Sequence, residues 1–167
     1  MSPAAQPDRT LVVTADDFGL SREVNEAVEI AHRDGILTAA SLMVAEPWAA
    51  DAVERARRLP DLRVGLHLTL VEGRAVLPPA EIPDLLGPDG RLRTDLARYG
   101  VGIFLSARVR GQVRAEIEAQ FAAFARTGLR LAHVDSHQHF HLHPTVARLL
   151  FAIGPRFGMT TLRVPVE

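Results

Sequence analysis

Cysteine is absent from the 167 residues, which contain one tryptophan and one tyrosine and carry a formal net charge of −1. Without cysteine the chain has no disulfide framework, no thiolate nucleophile and no cysteine-ligated zinc, so any metal must be held by nitrogen and oxygen ligands. The near-zero net charge gives no excess of basic side chains for a phosphate backbone, which argues against nucleic acid as a partner. Aromatic platforms on which a sugar could stack are also few.

Long apolar runs are missing too. No run approaches the roughly 18 residues that span a bilayer, and the first ten residues lack the basic and then apolar order of a signal peptide. We therefore predict no membrane span and a cytoplasmic location. With 47% hydrophobic and 23% charged residues, the composition is typical of a globular protein, and the length suits a single domain over residues 1–167.

Short apolar runs alternate with amphipathic segments along the chain. This alternation predicts an α/β fold with a parallel sheet, either open or an incomplete (β/α) barrel, because about five strands cannot close an eight-stranded barrel. Reactive side chains are then expected beyond the carboxyl ends of the strands. The predicted strands cover residues 10–15, 38–45, 63–70, 129–134 and 160–164, and a helix follows the first, second and fourth of them.

Residues 71–111 break this alternation. The segment is rich in proline, glycine and aspartate (LPPAEIP, LGPDGRL) and has no clear period. A non-periodic stretch of this length is too long for an ordinary connection, so we predict a functional loop or lid there. Helical periodicity returns at Val113 and continues to Gly128.

Two adjacent carboxylates, Asp16 and Asp17, follow the first predicted strand. Their mutual repulsion must be relieved by a cation or by a shared proton, so one of them can bind a metal while its neighbour takes up protons. An isolated pair of this kind is more often a helix cap or a solvated acidic turn. The position at the end of a buried strand favours the chemical interpretation.

Histidine is the most informative residue type. A lone histidine in a strand, such as His67, is more often a hydrogen-bonded core residue than a ligand, but five further histidines within eleven residues make a poor core. We expect one or two metal ligands among those five, and three of them (137, 139 and 141) would share one face if the backbone were extended. The five are His133, His137, His139, His141 and His143.

A carboxylate and two imidazoles from three strand ends would leave coordination positions open for water and substrate, as in catalytic rather than structural metal sites. We predict one divalent ion, with zinc first and nickel, cobalt or magnesium as alternatives. Such an ion polarises a carbonyl and lowers the pKa of bound water, while a free carboxylate beside it can act as a general base. The alternative, that the histidines are incidental, predicts no metal at stoichiometric occupancy.

Three motifs together resemble the YdjC-like carbohydrate deacetylases, a family that includes chito-oligosaccharide deacetylases and a subgroup associated with hopanoid biosynthesis. The motifs are TADDFGLS at 14–21, VGLHLTL at 64–70 and HVDSHQHFHLHP at 133–144, in the expected order. The resemblance implies that Asp17, His67 and His137 hold the metal and that Asp16 is the base that activates water. It further implies that His139 and His141 orient the ligands or contact the substrate, with a purely structural role as the alternative. Arg163 resembles a family position near the sugar site, with an ordinary surface arginine as the alternative.

The activity implied by this resemblance is metal-dependent hydrolysis of an N-acetyl group on a carbohydrate or glycolipid. Another metallohydrolase, acting on a phosphoester or a different amide, is the alternative enzyme. A third interpretation is a metal- or sugar-binding fragment without turnover. Family members usually continue beyond this length to complete a barrel and to supply a late His-Pro-Gly segment, a plausible source of the general acid. We therefore expect a truncated chain, a split product or a protomer that completes its site in a homo-oligomer.

Overall fold

The computed structural model describes residues 10–165. Four strands form one parallel sheet, in which they lie side by side in chain order. The predicted parallel α/β fold is confirmed, and the consecutive strand order is the one that (β/α) barrels use. The elements are β1 (Thr14–Phe18), α1 (Arg22–Arg33), β2 (Ala39–Leu42), α2 (Ala49–Arg57), β3 (Arg63–Leu68), α3 (Leu96–Leu105), α4 (Ala107–Arg126), β4 (Val134–Ser136) and α5 (Pro144–Ile153), with short 3-10 turns at Pro83–Leu85, His137–Leu142 and Gly154–Phe157.

The two faces of the sheet differ in chemistry. In β3, Val64, Leu66 and Leu68 belong to the apolar core that also contains side chains of α2 and α4. Successive side chains of a strand point to opposite faces, so His67 lies on the other face. The parallel register pairs His67 directly with Asp135 of β4. One face of the sheet therefore builds the core, while the other carries polar side chains.

Strand boundaries differ from the predicted ones at both edges of the sheet. β1 extends through Asp16 and Asp17 instead of stopping before them. The fourth strand was predicted at 129–134, but only 134–136 run beside Leu66–Leu68 of β3 and complete a ladder. The fifth predicted strand is reduced to a single parallel bridge between Val134 and Leu162. Pairing partners, which periodicity does not reveal, set these limits.

The prediction of one long loop at 71–111 is wrong in its second half, which contains α3 and the start of α4. Tyr99 and Ile103 form the buried stripe of α3. Its two glycines have poor helix propensity, and its exposed side chains are mostly apolar, so the amphipathic signal is weak. The first half is irregular but fixed, since buried Glu116 of α4 accepts hydrogen bonds from the backbone of Val76 (2.8 Å) and Leu77 (3.0 Å). A lid function stays a prediction.

None of the helices in the described part of the chain combines the length and apolarity that a bilayer crossing requires.

Gly65 provides a test of how tightly the polar face is packed. A Cβ atom at this position would lie 2.5 Å from the ring of His133. We expect Gly65→Ala to lower the free energy of unfolding by about 1–3 kcal/mol, measured by urea denaturation. Gly111→Ala on α4, where nothing lies within 4 Å, is the control and should raise stability by up to about 1 kcal/mol. Equal effects of the two substitutions would contradict this packing.

Candidate metal centre

Asp17 reaches the centre through an irregular stretch of β1. The register between β1 and β2 shifts between Ala15 and Phe18, and Asp17 has a φ of 60°, which is uncommon for a residue other than glycine. An irregularity of this kind bends the strand and re-aims a side chain. The adjacent carboxylates of Asp16 and Asp17 therefore enter different environments.

The three predicted ligands lie together. Asp17 Oδ1 is 3.2 Å from His67 Nε2 and 3.0 Å from His137 Nδ1. Two ligand atoms bonded to one tetrahedral zinc ion at about 2.0–2.1 Å are roughly 3.3 Å apart, so these separations fit one ion. Nitrogen and carboxylate oxygen are also the donors that a cysteine-free chain can offer. The set suits a divalent metal, and its role as a ligand set stays a prediction.

Asp135 is the residue that sequence reasoning missed. Its carboxylate is fully buried, and Oδ1 lies 2.7 Å from His67 Nδ1. The other oxygen accepts a 2.7 Å hydrogen bond from the hydroxyl of Ser41. A carboxylate that accepts a hydrogen bond from a metal-binding histidine fixes the orientation of the ring. In His67 such a contact holds a proton on Nδ1, the nitrogen that faces Asp135, and leaves Nε2 to bind the metal. Its position two residues before His137 in HVDSHQH was the available signal.

Arg163 connects two carboxylates across the polar face. Its guanidinium donates bidentate hydrogen bonds of 2.7 and 2.8 Å to Asp16, and Nη1 also lies 3.0 Å from Asp135 Oδ2. The hydrogen bonds to Asp16 raise the pKa of Arg163 despite partial burial. The side chain predicted to lie near the sugar is therefore engaged with the predicted base and with the buried aspartate. This contact fixes the orientation of the Asp16 carboxylate.

The extended arrangement considered for His137, His139 and His141 is wrong. Residues 137–142 form a 3-10 turn, and φ is 54° at Gln138 and 51° at His139. The turn directs His137 to Asp17 and carries the two later histidines elsewhere. His141 is buried, with Nδ1 2.7 Å from the hydroxyl of Ser136 and Nε2 2.9 Å from the carbonyl of Arg163. This burial fits an orienting role better than substrate contact.

The remaining three histidines of the cluster lie outside the group formed by Asp17, His67 and His137. His133 lies 2.9 Å from the hydroxyl of Ser41, and His143 caps α5 by accepting a hydrogen bond from the backbone of Thr145. His139 is half-buried, and its Nδ1 has no hydrogen-bond partner among residues 10–165. One of the five clustered histidines, His137, thus lies beside Asp17 and His67, and its role as a ligand stays a prediction.

The electrostatics of the metal-free cluster favour a cation. Hydrogen bonds from His137 and His67 hold the pKa of Asp17 far below its ordinary value. Burial alone would lower the pKa of His67, but hydrogen bonds to Asp135 and Asp17 outweigh it and raise that pKa to about 9. Burial would raise the pKa of Asp135, and its contact with His67 and the hydrogen bond from Ser41 reverse the direction. The carboxylates therefore stay ionised and attract positive charge.

Comparison with known proteins gives concordant matches. A family model described as YdjC-like protein matches residues 10–167. Proteins named carbohydrate deacetylase from Brevibacillus brevis and from Vibrio vulnificus CMCP6 are 38% and 39% identical over 157 residues, which cover 94% of this chain and 58% of each relative. A crystal structure from Enterococcus faecalis V583, of a protein named for cellobiose-phosphate cleavage, aligns with a TM-score of 0.79 at 28% identity and covers 92% of this chain and 57% of that one. The chain thus spans less than two thirds of these relatives.

The pKa of His67 predicts how the stability of the metal-free protein changes with pH. The contacts of the imidazolium with Asp135 and Asp17 stabilise the fold fully below about pH 6.5, and their contribution is lost as the pH rises through about 9. Urea denaturation in the presence of a chelator should show the free energy of unfolding falling across this window. Asp135→Asn should flatten the dependence, and parallel pH curves for the two proteins would contradict the assignment.

Proposed function

The chain belongs to the YdjC-like protein family, and we propose that it uses one divalent metal ion to hydrolyse an N-acetyl group on a carbohydrate or glycolipid. The observation that carries this proposal is the convergence of Asp17, His67 and His137, with Asp135 behind His67. The relatives named carbohydrate deacetylase support the choice of substrate and bond. This chain spans only 58% of each of these relatives, so the activity of the chain by itself is part of the proposal.

Asp17, His67 and His137 would hold the ion through one carboxylate oxygen and two ring nitrogens. A bound divalent ion supplies polarisation of the substrate carbonyl and a lowered pKa for an attacking water. Zinc suits the donor set best, and nickel, cobalt and magnesium are the alternatives. A bound metal would displace the proton from His67 Nε2, and Asp135 would keep the remaining ring proton on Nδ1, so that Nε2 could donate its lone pair to the metal.

Asp16 is the proposed general base. Each of its oxygens accepts one hydrogen bond from Arg163, and a carboxylate has about four lone-pair sites, so acceptor capacity remains for a water proton. The side chain is 39% exposed and therefore accessible to solvent. The bidentate contact holds the carboxylate in one orientation, which is what proton transfer requires. Arg163 acts here through Asp16, and direct contact with the sugar is a second proposed role.

His139 is the remaining candidate for substrate contact, because it is only half-buried and follows His137 in the same turn. His141 is assigned to orienting Ser136 and the backbone of Arg163, since both of its ring nitrogens are engaged.

A second candidate function is hydrolysis of the phosphoester bond of a phosphorylated disaccharide. The aligned Enterococcus faecalis protein, named for cellobiose-phosphate cleavage, favours it. The same donor set could activate water for attack on either bond, so the identity of the released product discriminates between them. Metal binding with neither product would indicate a binding module.

The ligand set can be tested by metal content. After incubation with zinc and removal of the excess, the wild-type chain should contain near-equimolar metal by elemental analysis. Asp17→Asn, His67→Gln and His137→Gln should each lose it, because each removes one of three donors. His32→Gln is the control, since that ring contacts the carbonyl of Leu37 outside the cluster. A folded wild-type chain without metal would overturn the proposal.

Acetate release tests the reaction. With oligomers of N-acetylglucosamine and added zinc, the chain should release acetate, and Asp16→Asn should lower kcat by about 10²- to 10⁴-fold, as expected for loss of a general base. Metal content of this variant should remain unchanged, because Asp16 is not one of the three donors. Release of phosphate from cellobiose phosphate, with no acetate released from the N-acetylglucosamine oligomers, would favour the second candidate instead.

A further inference from the structure

Asp17 lies on β1 and His67 on β3, and these two strands are not neighbours in the sheet. The sheet order places β2 between β1 and β3, so no ladder connects the strand that carries Asp17 with the strand that carries His67. Their side chains nevertheless approach to 3.2 Å. A ligand set tolerates errors of only about 0.5 Å, so other contacts must fix the two strand ends relative to each other.

Gln120 of α4 fixes the end of β3. Its Oε1 accepts a 2.9 Å hydrogen bond from the backbone N–H of Thr69, and its Nε2 donates a 2.6 Å hydrogen bond to the carbonyl of the same residue. Thr69 lies just beyond the last paired residue of β3, where no strand is available to take these groups. Gln120 is itself buried and is held by a 2.8 Å hydrogen bond to Glu116.

Asn25 of α1 does the same for β1. It is fully buried, and its Oδ1 accepts a 2.7 Å hydrogen bond from the backbone N–H of Gly19. Its Nδ2 donates to the carbonyl of Trp48 at 3.0 Å and to Asp51 at 2.8 Å, which links the turn to α2. Gly19 has a φ of 101°, and a Cβ atom there would lie 3.1 Å from the carbonyl of Met43, just after β2, and 3.2 Å from Cα of Ala49 in α2, so its turn has little freedom.

Both amides therefore hold the backbone two residues beyond a ligand: Gly19 follows Asp17, and Thr69 follows His67. We propose that Asn25 and Gln120 are positioning residues. From helices α1 and α4, they set the distance between the two predicted ligands Asp17 and His67. This inference rests on the proposed function, because it concerns the same metal ligands. Neither side chain contacts the ligand atoms, so both act through the backbone.

The test compares apolar variants of similar size with a matched control. Gln120→Met and Asn25→Leu remove the backbone contacts and keep the volume. Gln112→Met is the control, because Gln112 is also buried and lies on α4. It accepts a hydrogen bond from the backbone N–H of Asp84 (2.9 Å) and donates one to the carboxylate of the same residue (2.6 Å). The turn that contains Asp84 carries none of the predicted ligands. Asn25 lies on α1 and Gln120 on α4, so each variant tests the inference independently. If one of the two variants does not fold, the other still provides the test.

Zinc affinity of metal-free protein, measured by isothermal titration calorimetry, is the first readout. We expect the dissociation constant to rise about 10-fold or more in Gln120→Met and Asn25→Leu and to stay near the wild-type value in Gln112→Met. All three variants should lower the thermal midpoint, since each loses buried hydrogen bonds. Unchanged zinc affinity in the first two variants, or an equal loss in Gln112→Met, would overturn the inference.

A second readout does not depend on metal and separates this inference from the proposed function. In the metal-free protein, the ring resonances of His67 report its contacts with Asp17 and Asp135. These resonances should shift in Gln120→Met and Asn25→Leu and match the wild type in Gln112→Met. A wild-type chain that binds no zinc would overturn the proposed function alone, whereas unshifted His67 resonances would overturn the positioning inference whether or not zinc binds.

Discussion

The hydrogen bond between His67 and Asp135 is the interaction on which the rest of the site depends. Parallel register places the two residues side by side on β3 and β4, and the carboxylate is fully buried. A buried charge is tolerated only when it is paired and hydrogen-bonded, and here Ser41 and Arg163 complete the set of partners. The polar face of the sheet is therefore organised around the Asp135 carboxylate, which three side chains hold in place.

That constraint separates the roles of two adjacent aspartates. Arg163 lies between Asp135 and Asp16 and contacts both, so Asp16 is turned toward a guanidinium. Asp17, which has a positive φ, contacts two imidazoles instead. Neighbouring carboxylates in different environments can perform different chemical tasks, which is the requirement for one metal ligand and one base.

The helical layer does more than cover the apolar face. Long polar side chains of α4 form hydrogen bonds with backbone groups beyond the ends of the strands, where no neighbouring strand can pair with them. Glu116 accepts from the backbone N–H of Val76, and Gln120 donates to the carbonyl of Thr69. Their burial makes each such contact costly to lose, because an unsatisfied backbone group would remain. The irregular chain after β3 is thus held as firmly as a regular element.

Local patterns in the sequence were sufficient to predict the parallel α/β fold and the side chains available to a metal, because strand and helix periods are local and the carboxyl ends of parallel strands meet at one edge. They therefore indicated Asp16, Asp17, His67 and the histidine cluster in advance. Which of the clustered histidines contacts Asp17 could be seen only in the folded chain, since two residues with left-handed backbone conformation, Gln138 and His139, turn the chain there. Asp135 became the partner of His67 through the register between β3 and β4. The helix at Leu96–Leu105 likewise depends on packing between distant segments. Local periodicity predicts neither register nor packing of this kind.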